Sequence, residues 1–271
     1  MKIFKSKHKL KKEILNIKNL SFIPTMGGLH KGHISIIKKA KKYKEKTVVS
    51  IFVNRKQFNN KNDFLNYPRN LKKDLIILKR LKVDIVYIPS FKDIFSFKVK
   101  NKIFISNFSK KLCGRKRKGH FEGVLDVVNR YLEIIKPKFI FLGIKDFQQL
   151  YLINLHILKR KINTRVVRCK TIREKNGIAC STRNERLNHK QFQDASKIYK
   201  YLRSKKRYIK KHLPIFNINS LKKKLLNLGA SEVEYIKFYN LNTFKKPKKK
   251  SEHFNIFIAY YLDTIRLIDN I

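Results

Sequence analysis

The sequence predicts an α/β fold in which a parallel sheet is followed by a smaller α+β region. Two observations predict this arrangement. Apolar, β-branched segments alternate with amphipathic helical segments up to about residue 175, and a β-α-β succession implies parallel strands joined by right-handed crossovers. The chain has 271 residues, of which 42% are apolar, so it is long enough to bury a sizeable core.

The segments expected to be strands are short, apolar and rich in β-branched or aromatic residues, and they cover residues 20–25, 46–54, 83–90, 138–143 and 164–172. Between them, apolar residues recur at helical spacing over residues 34–44, 74–82, 123–137 and 146–161. The third of these helices is expected to end at Pro137, because proline cannot continue the helical hydrogen bonding.

The order of the elements changes after about residue 175. Two helical segments and then two strand segments follow, which are 188–206, 218–229, 233–244 and 254–271. Turn-forming residues cluster within 173–184, so we expect a first domain over 1–174 and a smaller α+β domain over 175–271. The lysine-rich stretch 244–253 is expected to be a solvated loop or hairpin.

The chain is strongly basic, with 66 Lys and Arg residues against 18 Asp and Glu residues, a net charge of +48. Such a charge suits a nucleic-acid partner. However, the lysines are scattered along the chain and accompany many Asn, Ile, Phe and Tyr residues, all of which have A/T-rich codons. We therefore expect genome composition to explain the charge, with no specific nucleic-acid partner, although the field still attracts anions such as ATP.

The three cysteines, Cys113, Cys169 and Cys180, show neither metal-type spacing nor a disulfide framework. They are expected to be incidental thiols in a reducing compartment. The N-terminal residues lack the apolar core of a signal peptide, and no apolar run approaches the length of a membrane span. The sequence therefore predicts a cytoplasmic location and no membrane partner.

The segment 24–33, PTMGGLHKGH, joins the end of a predicted strand to the start of a predicted helix. Gly27 and Gly28 let a ligand approach the backbone, and unpaired N–H groups at a helix N-terminus attract phosphate. His30 and His33 share one face of the first helical turn. These features predict a phosphate-binding site. A plain glycine turn and a zinc site are the alternatives, but no third zinc ligand lies at a suitable local spacing.

This segment resembles the signature of the pantothenate synthetase (pantoate–β-alanine ligase) family, which belongs to the His-x-Gly-His nucleotidylyltransferase superfamily. The resemblance runs from about residue 20 to the last residue, and four further blocks match in order: 50–90, 114–137, 141–150 and 173–187. The resemblance implies a Rossmann-like nucleotidylyltransferase domain that binds ATP and pantoate over 1–174, and a smaller C-terminal α+β lid domain over 175–271.

The resemblance also implies roles for individual residues. The catalytic set is His33, His30, Lys145 and Arg183, and His33 is the candidate general acid or charged donor. The ATP-binding positions are Met26, Gly27, Gly28, Leu29, His30, Lys31, Gly32, His33, Gly143, Ile144, Lys145, Asp146, Ile172, Cys180, Ser181, Thr182 and Arg183. Pantoate and β-alanine are expected to be bound by Gln57, Gln149 and Asn54. No protein ligand for a metal is implied, because Mg²⁺ is expected to arrive with ATP.

The chain departs from the family pattern at several of these blocks. Arg55 and Lys118 replace prolines, and Ile144 replaces a residue that is commonly polar or acidic. Thr182 replaces the second serine of a Ser-Ser-Arg-Asn motif but retains a hydroxyl group. The first three departures leave open an enzyme of low activity.

The implied activity is the ATP-dependent condensation of (R)-pantoate with β-alanine through pantoyl adenylate, with release of pyrophosphate and AMP. The implied assembly is a homodimer. Two other interpretations remain. One is another adenylyl- or cytidylyltransferase of the same superfamily, against which the blocks around Gln57 and Gln149 argue. The other is a basic nucleic-acid-binding protein without enzymatic activity.

Overall fold

A parallel sheet organises the first of the two units into which the chain divides, Met1–Thr171 and Ile172–Ile271. The computed structural model describes residues 1–212, 217–241, 243–249 and 252–271. The first unit contains strands β1 (Lys2–Phe4), β2 (Leu20–Thr25), β3 (Lys46–Ile51), β4 (Ile85–Tyr87), β5 (Phe139–Gly143) and β6 (Arg165–Cys169). Its helices are α1 (Lys7–Ile14), α2 (Lys31–Lys41), α3 (Lys61–Leu65), α4 (Leu71–Arg80), α5 (Phe91–Phe95), α6 (Cys113–Lys116), α7 (His120–Ile135) and α8 (Phe147–Lys159). Short 3₁₀ turns cover Arg55–Gln57, Asn107–Lys110 and Ile144–Asp146.

The order of these strands is β1-β4-β3-β2-β5-β6, and each pairing is parallel. The predicted parallel sheet is therefore confirmed. From β2 the chain runs outward through β3 to β4, and it then returns to place β5 on the other side of β2. Ligands of such sheets bind beyond the carboxyl ends of the strands where the order reverses. The residues that follow Thr25 and Gly143 lie at that place.

The two faces of the sheet are covered by different helices. Ile23 of β2 belongs to a cluster that also contains Ile37 of α2 and Leu78 of α4. The preceding residue, Phe22, points to the opposite face, where its ring lies 5.3 Å from that of Tyr131 in α7. Alternate residues of a strand point to opposite faces, so β2 is buried on both faces along almost all of its length.

Strand β1 was not predicted, and it forms an edge of the sheet. Lys2 pairs with Ile85 and Phe4 with Tyr87 in the parallel register. Asp93 holds the chain just after this strand, because its two carboxylate oxygens accept the Lys7 N–H, each at 2.9 Å. Three residues are too few to show a strand pattern, so local sequence carries no signal for this pairing.

The second unit packs two helices, α9 (His189–Lys211) and α10 (Ile218–Asn227), on an antiparallel sheet. Its strands are β7 (Glu232–Tyr239), β8 (Asn255–Leu262) and β9 (Ile265–Asn270), in the order β7-β8-β9, and a 3₁₀ turn covers Thr182–Arg186. The predicted smaller α+β unit is confirmed. The predicted strand over 233–244 ends early, at Tyr239, and Asn242 lies outside the described residues. The predicted loop over 244–253 includes residues 250 and 251, which also lie outside them.

Within the described ranges, no helix is both long enough and apolar enough to cross a membrane.

Candidate active site

The loop that follows β2 bends through two glycines in the left-handed region. Gly27 has φ of 79° and Gly28 has φ of 61°, conformations that residues with a side chain rarely adopt. A Cβ atom at Gly27 would also lie 2.9 Å from the Oδ2 atom of Asp74. The Gly27 N–H donates to the Thr25 hydroxyl at 3.2 Å. Gly27 is therefore required by the path of this loop, and Gly28 adopts its left-handed conformation without strain.

Asp74, in the first turn of α4, fixes the loop after β2 through hydrogen bonds to its backbone. Its carboxylate accepts the Gly28 N–H at 2.9 Å and the Leu29 N–H at 2.8 Å, and the residue is only 2% exposed. These two N–H groups precede the helix and bond a buried carboxylate, which fixes the loop. The expectation that N–H groups at the N-terminus of α2 bind phosphate stays a prediction.

His30 and His33 cap the N-terminus of α2 with their own rings. The His30 Nδ1 atom accepts the Gly32 N–H at 3.1 Å, and the His33 Nδ1 atom accepts the His30 N–H at 3.4 Å. An Nδ1 atom that accepts a hydrogen bond carries no proton, so in this arrangement each ring has its Nε2 atom left to offer a ligand. The ring centroids lie 4.2 Å apart. Two Nε2–H donors thus lie side by side at the N-terminus of the helix.

The charge state of His33 in the free protein follows from its surroundings. Its pKa is lowered to about 3, chiefly by burial of the ring and then by the neighbouring His30 and Lys145. A cation there would also break the cap, because a protonated Nδ1 atom cannot accept the His30 N–H. In the free protein His33 is therefore set up as a neutral hydrogen-bond donor, and its role towards bound ATP stays a prediction.

Lys145 follows β5, the strand that pairs with β2 on the side away from β3. It lies in the 3₁₀ turn after β5, and its Nζ atom is 3.7 Å from a carboxylate oxygen of Asp146. Its charge contributes to the lowered pKa of His33, which places the two side chains close to one another. The loops after β2 and β5 together present two imidazole donors and one ammonium group.

The Gln57 side chain contacts both Met26, in the loop after β2, and Asn54. Its side-chain nitrogen lies 2.6 Å from the Met26 sulfur, and its side-chain oxygen lies 3.4 Å from the Asn54 amide. Asn54 is only 1% exposed, and its amide also donates to the Gly123 carbonyl at 3.0 Å. Asn54 therefore helps to position Gln57, and the contact of either amide with pantoate stays a prediction.

Arg117 and His120 hold the Gln57 turn from the side of α7. The His120 Nδ1–H donates to the Gln57 carbonyl at 2.7 Å, and Arg117 donates to the same carbonyl at 3.2 Å. Arg117 also donates to the His120 Nε2 atom at 2.9 Å. Gly123 lies against the backbone of the turn, where a Cβ atom would come within 2.4 Å of the Lys56 carbonyl oxygen. The third sequence block thus builds the support for the second.

The adjacent residues Gln148 and Gln149 of α8 have different environments. Gln148 is 5% exposed, and its amide donates to the Phe108 and Lys111 carbonyls at 2.8 Å and 2.7 Å. Its oxygen accepts the Cys113 N–H at 3.1 Å. Gln149 is half-buried and takes part in none of the side-chain hydrogen bonds found among the described residues. Gln148 is therefore structural, whereas Gln149 has an amide to offer a ligand.

In the second unit, a hairpin leads to the predicted Ser-Thr-Arg motif. The Cys180 N–H donates to the Ile172 carbonyl at 2.9 Å. Arg173 forms an ion pair with Asp269 of β9 at 2.6 Å, which fixes the hairpin on the sheet. The Ser181 hydroxyl then accepts the Arg183 N–H at 3.3 Å and caps the following 3₁₀ turn.

A model of the pantoate–β-alanine ligase family matches residues 2–271. The chain belongs to this family. A pantothenate synthetase of Francisella tularensis subsp. novicida (strain U112) is 38% identical over 270 residues, which cover 98% of this chain and 94% of the relative. Another, from Francisella tularensis subsp. tularensis (strain WY96-3418), is 38% identical over 267 residues, with 97% and 93% covered. The resemblance stated from the sequence is therefore confirmed.

Solved structures of pantoate–β-alanine ligases share the fold over the whole chain. The Francisella tularensis enzyme, crystallised with β,γ-ATP and β-alanine, superimposes with a TM-score of 0.84 at 37% identity, covering 100% of this chain and 97% of that one. A pantothenate synthetase from Thermus thermophilus gives a TM-score of 0.87 at 25% identity, with coverage of 100% and 99%.

Four residues expected to bind ligands have buried side chains in this pantoate–β-alanine ligase. Besides Asn54, the Leu29 side chain is 3% exposed and packs in the core of the first unit. Cys180 is 3% exposed, and its thiol donates to the Glu174 carboxylate at 3.2 Å. Thr182 is 5% exposed. Their expected contacts with ligands stay predictions, and backbone groups are the more accessible means of making them.

Sequence reasoning missed Asp74, the residue on which the shape of the Gly-Gly loop depends. It lies 46 residues from Gly28 and 45 from Leu29, and it is the single acidic residue of a helix otherwise marked only by its apolar spacing. The sequence did offer one signal for Asp74, because acidic residues are scarce in this basic chain. Its partner could not be inferred, because backbone N–H groups leave no mark in a sequence.

Proposed function

We propose that this pantoate–β-alanine ligase joins (R)-pantoate to β-alanine in two steps, with MgATP as the activating substrate. The observation that carries the proposal is the position of one loop, Met26–His33. At one end Met26 contacts the Gln57 amide, and at the other His30 and His33 stand beside Lys145. A carboxylic acid held by the amide end would lie next to a phosphate held by the cationic end.

In the first step, a carboxylate oxygen of pantoate attacks the α-phosphorus of ATP. The bond from that phosphorus to the β-phosphate oxygen breaks, so pantoyl adenylate forms and pyrophosphate leaves. Negative charge grows on the leaving group, and fixed donors aimed at it lower the barrier. We assign this role to the Nε2–H groups of His30 and His33 and to the Lys145 ammonium group, with Arg183 of the second unit as a further cation.

In the second step, the β-alanine amine attacks the acyl carbon of the adenylate. A carbon–nitrogen bond forms, the bond from carbon to the phosphate oxygen breaks, and AMP leaves while the nitrogen loses its proton. Activation is needed because a free carboxylate has no good leaving group. The main contribution expected of the protein is to hold both reactants in place.

We assign Gln57 and Gln149 to the orientation of pantoate through its hydroxyl groups and carboxylate. Both amides can donate and accept, and a site built to bond a hydroxyl rejects analogues that lack it. Mg²⁺ is proposed to enter as part of the MgATP substrate, bound mainly by phosphate oxygens and water.

Three further parts of the proposal rest on the family resemblance. Residues 175–271 act as a lid in which Ser181 and Arg183 cover the triphosphate, the Ile172 backbone contacts the nucleotide, and the enzyme is a homodimer. A reducing, cytoplasmic location suits its three free thiols, which are all buried. Light scattering at about physiological ionic strength tests the dimer, since a net charge of +48 repels a second copy more strongly at low salt.

A coupled assay of AMP release, with pantoate, β-alanine and MgATP each omitted in turn, tests the proposed reaction. Release is expected only when all three are present at once. AMP release that continues without pantoate, or an equal rate with an analogue lacking its hydroxyl groups, would contradict the proposed substrate.

A further inference from the structure

We propose that the second unit carries a separate binding pocket for a compact polyphosphate anion. The pocket has a volume of about 500 Å³ and is lined by Lys175, Asn176, Gly177, Tyr199, Lys200, Arg203, Ser204 and Arg207. We call it the α9 pocket. Its volume suits a small ligand rather than an extended chain. Its lining belongs wholly to the second unit and includes none of the residues assigned above to ATP or pantoate.

The basic residues of the α9 pocket form one face of a helix. Lys200, Arg203, Ser204 and Arg207 follow the spacing i, i+3, i+4 and i+7, which places them together along α9. The opposite face of the same helix, which includes Ile198 and Leu202, is buried in the core of the second unit. The helix is thereby fixed with its basic face towards the pocket.

The cations of the α9 pocket have no acidic partner among the described residues. Lys175, Lys200, Arg203 and Arg207 are exposed, and none of them forms an ion pair within the described part of the chain. The nearby carboxylates are engaged elsewhere, since Glu174 accepts the Cys180 thiol and Asp269 pairs with Arg173. Four like charges around one cavity repel each other, and a multivalent anion relieves that repulsion.

The wall opposite α9 is rigid. Gly177 has φ of 96°, and a Cβ atom there would lie 2.2 Å from the Tyr199 ring, so the turn sits directly against that ring. The Asn176 carbonyl accepts the Ser196 hydroxyl at 2.8 Å. On the Tyr199 ring, the Arg173 guanidinium lies 4.3 Å from the centroid. The backbone of this wall is therefore ordered before a ligand arrives, so binding needs to order only the side chains of the lining.

The chemistry of the lining selects the ligand. Two guanidinium groups, two ammonium groups and the Ser204 hydroxyl are hydrogen-bond donors suited to phosphate oxygens. The contacts that Tyr199 makes with Arg173 and Gly177 occupy its ring, so this ring is not available for stacking on a base. Inorganic triphosphate fits this lining, because it is a multivalent anion with several phosphate oxygens and no base to stack.

The test is calorimetric titration of the full chain with inorganic triphosphate at about physiological ionic strength. The double variant Lys175→Gln with Lys200→Gln removes two pocket lysines from two different elements. Lys223→Gln with Lys224→Gln removes two exposed lysines of α10 and changes the net charge equally. We expect about a tenfold loss of affinity in the first double variant and a change within about twofold in the second. Equal losses in both would overturn the proposal, because the net charge alone would then explain binding.

Two further arms separate the α9 pocket from other sources of binding. In a His33→Ala chain the pocket-dependent binding is expected to persist, and its loss there would assign the triphosphate to the proposed ATP site. Arg203→Gln with Arg207→Gln should weaken triphosphate binding and leave pantoate-dependent AMP release unchanged. A short single-stranded RNA that binds through the same two lysines more tightly than triphosphate would overturn the proposal in favour of a nucleic-acid surface.

Discussion

The substitution Asp74→Asn tests how the Gly-Gly loop is held in place. The Asp74 carboxylate accepts two backbone N–H groups, from Gly28 and Leu29, at 2.9 Å and 2.8 Å. An asparagine has almost the same shape but only one acceptor oxygen. Its NH₂ group must therefore face one of the two N–H donors, and one hydrogen bond becomes a donor–donor contact.

The size of the effect follows from burial. Hydrogen bonds to a charged group contribute about 1.5–3 kcal/mol each, and an unpaired buried donor costs about 1–3 kcal/mol. Asp74 is 2% exposed, so water cannot replace the lost partner. We expect the free energy of unfolding to fall by about 3 kcal/mol. Because His30 follows Leu29 directly, a shift of about 1 Å in this loop should lower kcat/KM for ATP by about 100-fold.

The measurement combines urea unfolding with steady-state kinetics at a temperature where both proteins stay folded. Asp263→Asn is the matched control, because it removes the same charge from an exposed turn whose Gln191 contact an asparagine oxygen can keep. The control should change the unfolding free energy by less than about 0.5 kcal/mol and leave kcat/KM unaltered. If Asp74→Asn behaved like the control in either measurement, the carboxylate would not be what holds the loop.

Three further predictions concern individual side chains. Gln149→Ala should raise KM for pantoate and leave the free energy of unfolding almost unchanged. Gln148→Ala should lower the free energy of unfolding by about 2 kcal/mol, because the Gln148 amide is buried and hydrogen-bonded. Equal kinetic and stability losses in both variants would contradict the different roles assigned to these two residues. His33 has a pKa of about 3 and is therefore neutral between about pH 6 and about pH 8. Since kcat/KM for ATP reports the free enzyme, it should stay level over this range. A tenfold fall as the pH rises would show that a protonated histidine is needed. The pKa of His156 is lowered from 6.5 to about 4, chiefly by burial, so between these pH values the unfolded state binds a proton that the folded state does not. The free energy of unfolding should therefore fall by about 3 kcal/mol as the pH drops from about 6.5 to about 4. His156→Gln should flatten that slope, and an unchanged slope would show that His156 is not its cause.

Much of the fold could be predicted from the sequence because its strands are locally marked. Strand β2 has the predicted bounds, since an apolar run ends at a proline and two glycines. The start of α2 was less accessible. Helical spacing begins at Ile34, but the helix starts at Lys31, because the rings of His30 and His33 supply the capping contacts. Imidazole caps are not among the usual start signals, so the apolar spacing alone places the boundary too late, whereas the spacing of the two histidines pointed to a first turn here.

The candidate site could be predicted in outline but not in its internal support. The spacing of His30 and His33 marked the loop, and the family resemblance pointed to Gln57 and Gln149. The sequence could not show that the Gly28 N–H is bonded to Asp74. Such contacts join residues far apart in the chain, and only the fold brings them together.

Pantoate-dependent exchange of label between pyrophosphate and ATP, measured without β-alanine, tests the central claim most directly. If pantoate is adenylated before the amine enters, exchange should appear with pantoate, vanish without it and fall by about 100-fold or more in a His33→Ala variant. Exchange that proceeds without pantoate, or AMP formation that requires β-alanine with no exchange in its absence, would contradict the adenylate mechanism.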